Sequence, residues 1–205
     1  MLAPFADRLE KMKIILGSSS PRRRELVGRL FKKFEIIPSD FDESTINKLD
    51  FPDPRDYVKL QAQKKAEELA GRIGDADIVI TADTIVAIDG KILGKPHTHE
   101  VAYNMISELN GRINKVITGV NIIFPKLNMS ISFTETTEVL MDNLPEAVVR
   151  AYADSDDPLD KAGGYGVQSN AVSLVKSVNG DYSNVVGLPV NRLAREIYQV
   201  LEQTA

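Results

Sequence analysis

Residues 18–23 read SSSPRR, between the apolar run KIILG and the segment RELVGRL. Where a strand hands over to a helix, Ser20 suits the N-cap, and Pro21 suits the first helical position, where a missing N–H is no loss. A helix start also presents unpaired N–H groups and the positive end of the helix dipole. Ser18 and the guanidinium forks of Arg22 and Arg23 would complete a cradle for phosphate oxygens. The stretch reads equally as a capping serine beside solvated arginines. It is not a Walker A loop, because G-x-x-x-x-G-K-[ST] occurs nowhere in the chain.

Further groups suited to chemistry are scattered along the sequence. In ITADTIV, Asp83 follows the apolar run DIVIT (77–81). A carboxylate just past the end of a strand is placed to bind Mg²⁺ or to activate a water, or else simply to form a turn. Asp42 and Glu43 in FDES are candidates for a second carboxylate, on what reads as a solvated loop. Lys95 in LGKP, and Lys64 and Lys65 near Ala62 and Ala66, each read alone as surface charges. DKAGGYGVQ (160–168) sets three glycines beside Lys161 and Gln168, which implies close backbone approach or a tight loop with positive φ. His97 and His99 in HTH do not make a zinc site, since the chain has no third histidine and no cysteine.

The elements that must position these groups alternate in type. KIIL (13–16) and FEIIP (34–38) read as strands, with a helix between them from Pro21 to about Leu30. Asp53 and Pro54 start a helix whose buried stripe is Val58, Ala62, Ala66, Leu69 and Ile73. The strand at 77–81 leads through ADT to IVAIDGKIL, where Asp89–Gly90 signals a hairpin. A helix over 98–109, capped by Thr98, turns Ala102, Met105 and Leu109 inward and stops at Asn110–Gly111. Residues 113–124 and 130–141 form a long hairpin around PKLN, followed by a short helix at 145–153. A strand over 171–178 and a helix after Pro189 complete the chain. Mixed strands and helices with adjacent β-segments predict an α/β fold with a mixed central sheet.

Composition narrows the function. The chain has 205 residues and 43% hydrophobic content, enough for one sizeable core. No apolar run is long enough to span a membrane, and MLAPFADRLEKM lacks the apolar centre of a signal peptide. Residues 1–12 read as an N-terminal extension to a single domain over 13–205. The absence of cysteine excludes disulfides and thiol nucleophiles and suits a reducing, cytoplasmic compartment. A net charge of -4 argues against a general nucleic-acid binder, so any anion site must come from basic groups gathered locally.

In this order, the blocks GSSSPRRREL, ADTIV, LGKP, TGV, DKAGGYGVQ and NVVGLP resemble the Maf family from about Lys13 to the C-terminal helix. That resemblance implies two α/β lobes flanking a deep cleft around a curved mixed sheet, as in the inosine triphosphate pyrophosphatases. It implies a homodimer that hydrolyses nucleoside triphosphates to monophosphate and pyrophosphate with Mg²⁺ or Mn²⁺. By carry-over, Asp83 is the proton acceptor for water, and Glu43 helps Asp83 hold the metal. Ser18, Arg22, Arg23, Lys65 and Lys95 hold the triphosphate, and Arg22, Thr84 and Gln168 match positions tied to substrate choice. The pattern SPRR, KP and GYG-Q is similar to the subgroup acting on dTTP and UTP rather than on 7-methyl-GTP. Three positions depart from the family: Gly17 stands for the usual Ala, Asn114 for a histidine, and QSN for QG after the glycine loop. The alternative reading is a nucleotide-binding regulator of cell division with little turnover. The intact Asp83, Lys95 and Gln168 favour an enzyme.

Overall fold

In the computed structural model, which describes residues 1–204, the apolar runs become one seven-stranded mixed sheet. β1 (Ile14–Leu16) lies parallel between β2 (Glu35–Ile36) and β3 (Ile78–Ile88). β3 runs antiparallel to β4 (Lys91–Leu93) and to β5 (Ile113–Phe124). β6 (Met129–Met141) pairs with β5, and β7 (Val175–Asn179) with β6, both antiparallel. The order is β2-β1-β3-β5-β6-β7, with β4 alongside β3.

The two edges of β3 differ. On one edge, β5 pairs with it from Val79 to Ala87. On the other, β1 covers Ile78 to Ile80 and β4 covers Val86 to Ile88, so residues 81–85 have no ladder partner there. The sheet therefore splits around the middle of this strand. That split is where a ligand can reach the strand.

Strand alternation sends the two faces of β3 to different cores. Ile78, Ile80, Ala82, Val86 and Ile88 join the main core with α2 (Pro21–Gly28), α4 (His99–Leu109), α5 (Glu146–Ala153), α6 (Tyr182–Val186) and α7 (Val190–Gln203). Val79, Ile85 and Ala87 face α3 (Pro54–Arg72), whose stripe of Val58, Ala62, Ala66 and Leu69 is buried as expected, as is Ile73 just past its end. α3 presses directly on β5, because a Cβ at Gly119 would lie 2.6 Å from the carbonyl carbon of Val58. The caps are those the sequence signals: Ser20, Asp53 and Thr98 each accept a backbone N–H at the start of α2, α3 and α4. Asp89 and Gly90 both have positive φ, as a tight hairpin requires.

Three expectations are corrected, and one short helix had not been expected. β3 does not stop at Thr81 but runs to Ile88, so Asp83 lies in mid-strand instead of past a strand end. Pairing with β5 carries the strand through the polar ADT. The strand expected over 171–178 begins only at Val175, because Asn170–Leu174 is a 3-10 turn that buries Ala171 and Leu174 on one side. On α4 the buried stripe is Ala102, Ile106 and Leu109, with Met105 only partly covered. α6, capped by Asp181, had no periodic signal because it is only five residues long.

The first dozen residues pack on the body. α1 (Ala6–Leu9) and the turn before it bury Leu2 and Leu9 in the main core, Phe5 meets Tyr198 edge-on at 5.5 Å, and Arg8 donates to the Leu201 carbonyl. Among the described residues no helix is long and apolar enough to cross a membrane.

Candidate active site

The split in the sheet opens into a cleft of ≈ 660 Å³. Along β3 every residue is buried except Asp83 and Thr84, which are partly open to this cleft. Being adjacent on a strand, they point to opposite faces and organise two clusters.

On the α3 face, Lys65 reaches from the buried side of the helix to Asp83 Oδ1 at 2.8 Å and Glu43 Oε1 at 2.9 Å. The side chains of Lys65 and Asp83 are 10% and 13% exposed, whereas that of Glu43 is 56% exposed. Asp83 Oδ2 meets no donor among the described residues and is free to accept one. Lys64, one position along, points outward to Glu67. Helical phase therefore separates the two lysines, one into the site and one into solvent.

On the α2 face, Arg23 is held by three acceptors. Nε donates to the Gly187 carbonyl at 2.9 Å, Nη2 to Thr84 Oγ1 at 2.9 Å and Nη1 to Ser18 Oγ at 3.3 Å. Burial pushes the Arg23 guanidinium below its ordinary pKa, and the nearby Asp83 and Glu43 charges oppose that push. Thr84 also meets Thr118 at 3.0 Å, so its hydroxyl orients Arg23 within a fixed network.

The far wall is the glycine loop. Gly163 adopts φ +68 with its backbone against Val86, where a Cβ would lie 2.8 Å away, and its N–H donates to Gly94 O at 2.9 Å. Lys161 is buried and bonds Asp160 Oδ1 at 2.7 Å and Asp157 Oδ1 at 3.2 Å. Asp157 Oδ2 accepts from Tyr152 at 2.9 Å and from Ser169 at 2.7 Å. Although burial opposes it, hydrogen bonds from Ser169, Tyr152 and Lys161 hold Asp157 below the usual carboxylate range. Arg22 joins the loop through Asp160 at 3.3 Å. Gln168 projects from this braced turn, exposed and without a hydrogen-bond partner among the described residues.

Ser18, Arg22, Arg23, Glu43, Lys65, Asp83, Thr84, Lys95 and Gln168 thus all line the same cleft. Lys95 makes no ion pair among the described residues. His97 also lines the cleft, while His99 turns away to the Ala153 carbonyl at 2.9 Å, so the pair shares no ligand. Sequence reasoning missed the support beneath these groups: Asp157 and Asp160 under the glycine loop, and Gln61 and Tyr57 beside Glu43. The i,i+4 spacing of Asp157 and Lys161 was a readable signal, but nothing local marked Gln61.

Comparison with known proteins bears on this arrangement. The family profile described as Maf-like protein matches residues 13–200. This chain belongs to the Maf family. A relative from Carboxydothermus hydrogenoformans, named dTTP/UTP pyrophosphatase, is 41% identical over 186 residues, covering 91% of this chain and 97% of its own. One of the same name from Clostridium botulinum (strain Eklund 17B / Type B) is 44% identical over 185 residues, covering 89% and 96%. A human protein named probable bifunctional dTTP/UTP pyrophosphatase/methyltransferase is 39% identical over 211 residues, covering 98% of this chain but 34% of its own length. Among solved structures, a HAM1 protein from Coxiella burnetii has a TM-score of 0.43 at 12% identity, over 65% of this chain and 75% of its own.

The departures of this Maf chain from the family pattern have local physical reasons. A Cβ at Gly17 would lie 2.6 Å from Thr81 Cγ2, because the buried Thr81 is tied to the Ala62 carbonyl at 2.7 Å. Asn114 is buried and uses both ends of its amide, donating to Val139 O at 3.1 Å and accepting from Tyr165 at 2.6 Å. Ser169 supplies the hydroxyl that ties the Gln168 turn to Asp157.

The donor set also bears on a metal. Two carboxylates, Glu43 and Asp83, converge on the cleft. Among the described residues there is no cluster of three or more His, Cys, Asp or Glu side chains. Hard oxygen donors of this number suit Mg²⁺ or Mn²⁺, which keep waters and take further ligands from substrate phosphates.

Proposed function

We propose that this Maf protein hydrolyses dTTP and UTP to the nucleoside monophosphate and pyrophosphate. The observation that carries the reading is the convergence of Arg22, Arg23, Lys65 and Lys95 with the Asp83 and Glu43 carboxylates on one cleft. Relatives at 41% and 44% identity named dTTP/UTP pyrophosphatase support the substrate class.

In this reading Asp83 Oδ2 accepts the proton of a water as its oxygen attacks the α-phosphorus. The bond to the bridging oxygen breaks, and pyrophosphate leaves with its charge held by the arginines and Lys95. Arg23 needs no reorganisation, because Gly187, Thr84 and Ser18 already fix its plane. Lys65 keeps Asp83 and Glu43 side by side despite their like charge. Those two carboxylates would hold a divalent cation, which supplies Lewis-acid stabilisation of phosphate charge when bound. The unpaired Gln168 amide offers a donor and an acceptor to the O4/N3–H edge of thymine or uracil. We further take the protein to act as a cytoplasmic homodimer, in keeping with the absence of cysteine for the compartment. The test is pyrophosphate release across the common nucleoside triphosphates with and without Mg²⁺ or Mn²⁺. Release fastest from dTTP and UTP is expected, and equal rates on purines would remove the pyrimidine part alone.

A further inference from the structure

Gln61 stands on the buried face of α3, one helical turn from Tyr57 and from Lys65, with no exposed surface. Its Nε2 donates to the Glu43 carbonyl at 3.0 Å and to the Tyr57 hydroxyl at 3.0 Å. Its Oε1 is buried and has no partner among the described residues. A backbone carbonyl can only accept, so the NH₂ end must face Glu43 and the oxygen must face away. Leaving a buried oxygen unpaired opposes folding, and an apolar residue at this point of the Val58–Ala62 stripe would avoid it. The arrangement gives stability away, and what it gains is a bond to Glu43.

Glu43 opens a 3-10 turn, Glu43–Thr45, on a stretch whose side chains are exposed. The stretch is tied down before this turn by Glu68, which accepts from Ser39 and from the Asp40 N–H, and after it by Lys48 donating to the Ile92 carbonyl. Gln61 fixes the main chain at Glu43 itself. Tyr57, the other acceptor of the amide, meets Phe51 edge-on at 5.6 Å and so braces the end of the same stretch. Without the amide bond, the half-exposed Glu43 carboxylate would be held beside Asp83 by its ion pair with Lys65 alone.

We infer that Gln61 is a positioning residue: by anchoring the Glu43 main chain it keeps the Glu43 carboxylate beside Asp83, and so strengthens divalent-cation binding by that pair. This rests on the reading of Glu43 and Asp83 as metal-holding groups. The test measures Mn²⁺ binding by the loss of the free-ion electron paramagnetic resonance signal, on the full chain alone and with a non-hydrolysable α,β-imido dTTP analogue, the signal lost to the analogue without protein being subtracted. Gln61→Leu and Gln61→Met both remove the N–H donors, and the second keeps the side-chain length should the first fail to fold. Each is expected to weaken Mn²⁺ binding on the order of 3- to 10-fold, the scale of one lost hydrogen bond. The thermal midpoint should stay level or rise, and kcat at saturating Mn²⁺ should be retained. Adding Gln61→Leu to Glu43→Gln should weaken binding no further than Glu43→Gln alone, because the amide acts through that carboxylate. Wild-type Mn²⁺ affinity in both Gln61 variants, or a fully additive double variant, would overturn the inference while the metal reading stands. No Mn²⁺ binding by wild type, or undiminished binding by Glu43→Gln, would overturn the metal reading and this inference together.

Discussion

At the scale of single residues the site turns on Lys65. Read in the sequence it is one of two adjacent lysines; in the structure it is buried between two carboxylates while Lys64 pairs in solvent. Removing Lys65 leaves the buried Asp83 carboxylate without its counter-charge and facing the half-exposed Glu43. Lys65→Met is therefore expected to lower the thermal midpoint clearly more than Lys64→Met, and a divalent cation should restore part of the loss by replacing the missing positive charge. Scanning calorimetry with and without Mn²⁺ checks both halves. Asp83→Asn keeps the shape but cannot take a proton, so kcat should fall about 10²-fold or more while the nucleotide analogue still binds. Single-turnover kinetics alongside a binding measurement separate those outcomes, and near-normal turnover would refute the base assignment.

At the scale of elements, α3 and the glycine loop set the distances across the cleft. α3 carries Lys65 to β3 only because Gly119 lets its backbone touch β5. The Cβ of Gly119→Ala would meet helix backbone, which cannot rotate aside, so a loss of about 1–3 kcal/mol is expected from denaturant unfolding. Activity should fall with it, since Lys65 moves with the helix. The glycine loop is braced by Asp157, whose pKa is lowered in the folded state from the ordinary value of 3.8. A carboxylate with a depressed folded pKa contributes stability above its unfolded pKa and loses it as pH falls through the folded value. Thermal midpoints taken downward from about pH 6 to below about pH 4 should fall more steeply in wild type than in Asp157→Asn. Parallel curves would show that Asp157 does not brace the loop by its charge.

At the scale of the whole molecule, a net charge of -4 coexists with cations collected in one cleft. The acidic remainder repels polyanions from the outer surface, and the cleft focuses an attractive field where Lys95 has no counter-charge. Raising ionic strength from about 0.01 M to about 0.15 M shortens the screening length from about 30 Å to about 8 Å. The value of kcat/KM for dTTP should decline over that range with kcat nearly constant, because the field acts on encounter. A kcat/KM indifferent to salt would show that steering plays no part.

The strands, helices and caps were largely legible in the sequence, because they follow from local periodicity and local hydrogen bonds. Ser20, Asp53, Thr98 and the Asp89–Gly90 hairpin act within a few residues of themselves. The ordered blocks from GSSSPRRREL to NVVGLP further resemble one family, and so point to Ser18, Arg22, Arg23, Glu43, Lys65, Asp83, Thr84, Lys95 and Gln168 without any fold. Pattern could not say that β3 runs on through Asp83, since that depends on a ladder with residues more than thirty positions away. Nor could it say which lysine meets Asp83, that Arg23 is held by Gly187, or that Gln61 reaches back to Glu43. These contacts join segments whose proximity is set by sheet order and helix packing. A side chain's own sequence neighbourhood carries its period and its charge, while the groups that face it across the cleft are decided by the tertiary fold.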